Sequence, residues 1–243
     1  WFTASLDKDL NMLRTSDVEK SDVLVNLLNI IRNEKPELFN TGLRFQAQSD
    51  FNLQWGFGSS STLVSLLSQW SGVDPYLILE KSFGGSGYDI ACATASNPIV
   101  YKVDNRETIE VKLPSAVTEK MLFVYSGNKQ NSRNEIKRFA QRETAPQDVK
   151  RIGEIVDEAL KAETIENFEH TLVESEKLLS EILGMSTLKE THFSDYPNVI
   201  KSLGAWGGDF FMATFRDEKE ARDYFLAKGY DTMFNYSELI YRQ

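Results

Sequence analysis

Trp55-Gly56-Phe57-Gly58-Ser59-Ser60-Ser61-Thr62 is the stretch on which the reading of the fold turns. Directly behind it, Leu63, Leu66, Leu67 and Trp70 recur at three and four residues, the spacing of a helix with one buried face. In front of it, Leu43, Phe45 and Ala47 alternate with Arg44, Gln46 and Gln48, the pattern of a half-buried strand. Strand, glycine-serine loop and helix in that order make an anion cradle. Successive loop amides can point into one concavity, and the helix start adds its unpaired N–H groups and the positive end of its dipole. Gly56 and Gly58 permit dihedrals that other residues avoid and let a phosphate approach the backbone. Ser59, Ser60, Ser61 and Thr62 add hydroxyls, one of which can ligate Mg²⁺. The P-loop ATPase pattern is absent, because no Gly-Lys-Ser/Thr follows. A turn with a serine N-cap would use the same residues; the helix immediately behind favours phosphate binding.

Outward from that loop, strands and helices intermix. Leu24, Leu27, Leu28 and Ile31 predict a helix over 21–33, with Ser21 or Asp22 as its cap. A second glycine cluster, Gly84-Gly85-Ser86-Gly87, precedes Tyr88-Asp89 and a run of small residues from Ile90 to Ala95 that can be helical. There an aspartate serves either as a helix cap or as a positioned carboxylate. Residues 98–103 and 107–113 read as a strand pair around Asp104-Asn105. Residues 121–126 read as a buried strand, 131–142 as a helix, and 147–183 as one broken or two consecutive helices. Ile200 to Gly208 reads as a glycine-rich loop feeding a strand at 210–215. A helix at 217–228, capped near Asp217, and a short strand near 231–234 follow. The mixture predicts an α+β protein, with a domain boundary near 114–120, where Pro114 and Ser115 precede a new strand.

The 243 residues suit one large domain or two small ones. With 41% hydrophobic and 26% charged residues, the composition is that of a folded chain. A net charge of −9 disfavours DNA or RNA as a partner, whereas a small anion such as ATP needs only a few local donors. The single cysteine, Cys92, excludes an intrachain disulfide and suits a reducing cytoplasm. No apolar run approaches the roughly 20 residues that span a bilayer, so no membrane partner is expected. His170 and His192 stand apart and make no metal site. Trp1-Phe2-Thr3-Ala4-Ser5 reads like the middle of a strand, and an upstream segment is expected.

Three motifs together resemble the GHMP kinase superfamily, the group of galactokinase, homoserine kinase, mevalonate kinase and phosphomevalonate kinase. Gly56-Phe57-Gly58-Ser59-Ser60-Ser61 resembles its Gly-Leu-Gly-Ser-Ser-Ala phosphate loop, with Asn52 where the family often has proline. The resemblance implies that this loop wraps the ATP phosphates and that Ser60 binds Mg²⁺. Gly84-Gly85-Ser86-Gly87-Tyr88-Asp89 resembles the Pro-Ser-Gly-x-Asp segment of mevalonate kinases, with Gly85 at the proline. It implies that Asp89 is the base that takes the proton from an acceptor hydroxyl. Lys201-Ser202-Leu203-Gly204-Ala205-Trp206-Gly207-Gly208-Asp209 resembles the C-terminal Lys-x-x-Gly-Ala-Gly-x-Gly-Gly motif, with Trp206 at a glycine position, so a different bend or a loop shorter by one is expected. It implies that Gly204 and Gly207 border the nucleotide. The Gly-Tyr-Asp-Ile-Ala run at 87–91 is the signature of one GHMP subgroup.

The resemblance implies further roles. Mevalonate kinases have a glutamate upstream of the aspartate as a second magnesium ligand; at their spacing the position is Ile78, and Glu80 takes the role if the loop is two residues shorter. Gly127-Asn128-Lys129-Gln130-Asn131-Ser132-Arg133 is similar to their Asn-Thr-Lys…Arg-Asn-Thr-Arg stretch. Ser132 then lies near the transferred phosphate, and Lys129 and Arg133 meet a substrate carboxylate or phosphate. The family's N-terminal substrate-side motif has no counterpart here. The implied fold is a two-domain α+β structure. Residues 1–117 form a ribosomal-protein-S5-like ATP-binding domain, incomplete at its start, and residues 118–243 a ferredoxin-like C-terminal domain, with the ligands in the cleft. The implied function is ATP- and Mg²⁺-dependent phosphorylation of a small metabolite, mevalonate or a related hydroxy acid first. Phosphomevalonate kinase, diphosphomevalonate decarboxylase and a non-catalytic nucleotide sensor are the alternatives. The acidic chain favours an unphosphorylated substrate. The expected partners are ATP and this substrate, with a homodimer as the expected assembly.

Overall fold

The computed structural model of the chain describes residues 2–127, 145–204, 206 and 208–240. The chain divides into two compact units. One comprises Trp1–Asp50, Gly58–Ala95 and Ile99–Ile109, the other Phe51–Phe57, Ser96–Pro98 and Glu110–Gln243.

The first unit is a cluster of helices flanked by two short antiparallel ribbons. Strands β1 (Ala4–Leu6) and β2 (Met12–Thr15) pair with Ala4 opposite Thr15 and Leu6 opposite Met12. Their turn is held by Asp7, whose Oδ1 accepts from the amides of Asp9 at 2.9 Å and Asn11 at 2.8 Å. Helix α1 runs Val18–Glu34. Its cap is Asp17, accepting from the Lys20 amide at 3.1 Å. Neither Ser21 nor Asp22 caps it: Ser21 is fully buried inside the first turns, where a small side chain lets the helix pack. Helices α2 (Ser59–Ser71), α3 (Pro75–Lys81) and α4 (Tyr88–Thr94) follow, then strands β3 (Ile99–Lys102) and β4 (Glu107–Glu110), which form the second ribbon. Leu27, Leu28, Ile30 and Ile31 of α1 share one core with Val64 and Leu67 of α2, Ile78 and Leu79 of α3, and Ile90 of α4. The spacing of these residues gave the helices their buried faces.

Residues 43–48 form no strand. The alternation is present, but Leu43 and Phe45 stay 42% and 46% exposed, and Phe45 packs edge-on against Trp70, with ring centroids 4.8 Å apart. An extended segment without a pairing partner is not a strand, whatever its side-chain pattern.

The second unit is built on a sheet ordered β6-β7-β5-β8. Strand β5 is Met121–Tyr125, β6 is Ile200–Ser202, β7 is Phe210–Thr214 and β8 is Met233–Asn235. All neighbours are antiparallel, with Phe123 opposite Met212 and Phe234, and Ile200 opposite Ala213. Ile200–Ser202 is thus a strand, and the glycine-rich loop starts after it. Helix α5 is Ser115–Thr118, α6 Pro146–Leu160, α7 Ile165–Leu183, α8 Leu188–Thr191, α9 Glu218–Ala227 and α10 Tyr236–Leu239. The 147–183 pattern is therefore two helices, and Asp217 caps α9 by accepting from the Glu220 amide at 3.0 Å. The helix expected at 131–142 lies outside the described residues.

Alternation along β5 and β7 divides this unit into two cores. Leu122, Val124, Phe211 and Ala213 pack with Phe193, Tyr196 and Phe225 on one face. Met121 and Met212 pack with Ile165, Phe168 and Leu172 of α7 on the other. Every residue of β7 is buried, so both faces are covered. No helix among the described residues is long and apolar enough to cross a membrane.

Candidate functional site

In the first unit the chemistry gathers at the start of α2. Gly58 is its N-cap, at φ 71°, and no side chain caps the helix. The serines are therefore the first turn itself, and the serine-cap reading of this loop does not hold. The first intrahelical bond runs from the Thr62 amide to the Gly58 carbonyl at 2.9 Å. The amides of Ser59, Ser60 and Ser61 precede it and have no acceptor within the helix. A Cβ built on Gly58 would meet nothing within 4 Å, so the space over the cap is open. Ser60 is exposed, Ser61 is buried, and the Thr62 hydroxyl donates back to the Gly58 carbonyl at 3.1 Å. Such a start, with free amides, positive dipole end and open space, suits a phosphate group.

Helix α4 packs against α2. Its N-cap is Gly87, at φ 82°, again without a side-chain cap. Asp89 lies in the first turn and does not cap the helix, which removes the capping role as its reason to be there. Asp89 is an exposed residue, yet nearby chain desolvates its carboxylate in part. That desolvation raises its carboxyl pKa above the ordinary 3.8. Tyr88 and Cys92 are hydrogen-bonded neighbours on the same helix, and desolvation raises both of their pKa values as well.

Glu80, on α3, forms an ion pair with Arg106. The guanidinium in turn lies 4.6 Å over the Tyr76 ring. This is the setting of a structural carboxylate. No group of three or more His, Cys, Asp or Glu side chains able to hold a metal occurs among the described residues. At phosphate-binding loops a serine or threonine hydroxyl can ligate Mg²⁺ alongside the phosphate oxygens, and the exposed Ser60 hydroxyl fits that manner of binding.

In the second unit the loop residue Gly56 meets the third motif. Gly56 has φ 72°, and a Cβ there would lie 1.9 Å from Asp209 Oδ2. The glycine is needed twice, for its backbone and for the close approach of the carboxylate. Trp55, Gly56 and Phe57 line a pocket of about 230 Å³ with Leu203, Gly204, Gly208 and Asp209. Its wall is aromatic: Phe57 stacks on Phe210 at 5.0 Å, and Trp55 meets Phe234 at 5.0 Å. Trp206 has φ 46° and is 8% exposed. The bend is one a glycine would adopt, held here by a tryptophan at a cost of about 1–2 kcal/mol that burial of its ring offsets. At the root of this loop, Lys201 Nζ donates to Glu176 Oε1 at 2.8 Å, and the Ser202 hydroxyl to Glu176 Oε2 at 2.9 Å.

The first and third motifs thus meet at Gly56 and Asp209, and Gly204, at φ 60°, borders the same pocket. Gly207, Lys129, Ser132 and Arg133 lie outside the described residues. Asp209 ends the third motif, which implies no role for it; its position after two glycines at the head of a strand is the signal the sequence holds. The tyrosines that surround Gly87 carried no local signal, since they come from α3 and β3.

No protein-family model matches the sequence, and no curated protein sequence matches it. Solved structures do. A Lin0012 protein from Listeria innocua is similar at a TM-score of 0.63 and 14% identity, over 95% of this chain and 85% of that one. A mevalonate kinase is similar at 0.61 and 18%, over 97% and 87%. A Streptococcus pneumoniae phosphomevalonate kinase, solved in complex with phosphomevalonate and AMPPNP, is similar at 0.65 and 17%, over 96% and 89%. At these identities the likeness is one of fold, and the chain has the mixed α/β fold of these kinases.

Proposed function

We propose that the chain is an ATP-dependent small-molecule kinase of the GHMP type, transferring the γ-phosphoryl group to a hydroxyl of a small metabolite. The observation that carries this reading is that two helices of one unit, packed on each other, both start on a left-handed glycine without a side-chain cap. The open, uncapped first turn of α2 supplies donors for phosphate, and α4, packed against it, supplies Asp89. The fold shared with two kinases supports it, since one of them holds AMPPNP and phosphomevalonate.

In this reading the amides of Ser59, Ser60 and Ser61 and the Ser60 hydroxyl bind and orient the phosphates. Ser60, together with the phosphates, would hold Mg²⁺, which would supply charge neutralisation at the transferred group. Asp89 accepts the acceptor proton as its oxygen bonds to phosphorus and the bond from the γ-phosphorus to the bridging oxygen breaks. A raised pKa makes the carboxylate a better base, provided it is ionised at working pH. Glu80 is left to Arg106. The family resemblance assigns Ser132 to the transferred phosphate, and Lys129 and Arg133 to a substrate carboxylate or phosphate. The proposed ATP-binding domain is residues 1–117 and the proposed second domain 118–243, although 51–57, 96–98 and 110–117 cluster with the second compact unit. The proposed compartment is the cytoplasm and the proposed assembly a homodimer.

Mevalonate is the first candidate acceptor and phosphomevalonate the second, because similar structures exist for a kinase of each. The test is ADP formation with Mg²⁺ and ATP over a panel of small alcohols containing both. Acceptor-dependent ADP is expected with one of them. ATP binding without ADP formation from any acceptor would leave a nucleotide sensor in its place.

A further inference from the structure

Asp89 is separated by one residue from a glycine whose backbone has no preference of its own. Gly87 caps α4 at φ 82°, a region that glycine enters and leaves freely. The direction of α4, and of the carboxylate on its first turn, therefore depends on what holds the loop from outside. Ser86 is held at both ends. Its carbonyl accepts from the Tyr101 hydroxyl at 2.8 Å, and its own hydroxyl accepts from the Tyr88 amide at 3.3 Å. Gly87 is packed against the Tyr76 ring and the Tyr101 hydroxyl: a Cβ there would lie 2.7 Å from Tyr76 Cε1 and 3.0 Å from the hydroxyl. Tyr88 leans edge-on toward Tyr101 at 6.0 Å between centroids. Tyr76 is fixed in turn by the Arg106 guanidinium, and Arg106 by Glu80.

We propose that Tyr101 is a positioning residue for Asp89: its hydroxyl, bonded to the Ser86 carbonyl, fixes the peptide that enters α4 and so aims the carboxylate at the acceptor hydroxyl. The inference rests on the kinase reading, in which Asp89 is the base. Glu80 and Arg106 are the outer part of the same brace, which gives the Glu80 carboxylate a task other than metal binding. The phosphate cradle on α2 does not depend on this brace, so ATP binding is separable from it.

Tyr101→Phe keeps the ring against Tyr88 and deletes the hydroxyl, with its bond to the Ser86 carbonyl and its contact at Gly87. Small misplacements of a catalytic group cost up to about a hundredfold in rate, and for the loss of one restraint we expect kcat to fall about tenfold with KM for ATP unchanged. Amide hydrogen exchange gives a reading without substrate. The amides of Tyr88 and Ala91 should exchange faster in the variant, while those of Val64 to Leu67 in α2 stay protected and report an intact fold. Unchanged exchange at Tyr88, or an unchanged kcat, in a protein where Asp89→Asn abolishes turnover would overturn the brace and leave the base reading standing. Turnover that survives Asp89→Asn would overturn the base reading and this inference with it.

Discussion

Asp89 is the residue on which the chemistry can be judged. General-base catalysis contributes about 10² to 10⁴ in rate, so Asp89→Asn should lower turnover by that range at saturating ATP and acceptor, with ATP affinity unchanged. A variant above half the parent rate would remove Asp89 from the mechanism. Because Gly87 is the cap, lost capping offers no competing explanation for a fall. The same substitution has a stability signature. Desolvation raises the folded-state pKa above the ordinary 3.8, so the folded protein holds the proton more tightly than the unfolded chain, and stability falls as pH rises through that window. Asparagine carries no charge to desolvate. The urea midpoint of Asp89→Asn relative to the parent should therefore rise from pH 3.5 to pH 7; a constant difference would mean that the carboxylate is not desolvated. Gly56 makes a purely steric case. Gly56→Ala sets a Cβ 1.9 Å from Asp209 Oδ2 at φ 72°, and left-handed strain plus overpacking should cost about 2–5 kcal/mol. Adding Asp209→Gly removes the clashing atoms. In a double-mutant cycle by urea denaturation the two changes should couple by about 0.5–3 kcal/mol, and strict additivity would show that the loop moves aside.

At the scale of elements, the start of α2 decides whether the glycine-serine loop is a cradle or a turn. Gly58→Val finds open space for its side chain but must hold a β-branched residue at φ 71°. It should lower stability by about 1–2 kcal/mol, leave a folded protein, and fill the volume where a phosphate would sit. Calorimetry with Mg²⁺ and ATP should then find no binding; parent-like affinity would make the loop a turn only. The helices α1, α2 and α9 were legible in the sequence because their buried faces repeat at helical spacing, and β5 and β7 because they are short apolar runs. The alternation at 43–48 misled because period two records where side chains point, whereas a strand also needs a neighbour to bond with. The glycine loops were legible as loops, since glycine is where the backbone leaves the ordinary regions. What lay beyond reach was long-range: the approach of Asp209 to Gly56 and the tyrosines around Gly87 join residues far apart in the chain. Trp206, at a glycine position of the family motif, predicts a different bend or a shorter loop. It holds a left-handed backbone at φ 46° instead, because burial of its ring offsets a local cost that sequence alone does not weigh.

At the scale of the whole molecule, the kinase reading becomes a statement about linkage. A net charge of −9 gives ATP no general attraction to the surface, so binding must come from local donors, and a ligand held by the native state alone stabilises that state. At a hundredfold its Kd, ATP with Mg²⁺ should add about 2.7 kcal/mol. For a chain of this size each kcal/mol raises the unfolding midpoint by about 2–4 °C, so a shift of roughly 5–10 °C is expected. AMP at the same concentration should shift it less, because the first turn of α2 is proposed to grip the outer phosphates. Variants divide the causes. Asp89→Asn should keep the full shift, since it alters proton transfer and not phosphate binding. Gly58→Val should lose the shift, since it fills the cradle while the fold persists. Thermal melts of the three proteins with and without nucleotide therefore test binding and chemistry separately. A parent protein whose midpoint ATP does not move would sink the kinase and the nucleotide-sensor readings together, because both require the native state to hold the nucleotide.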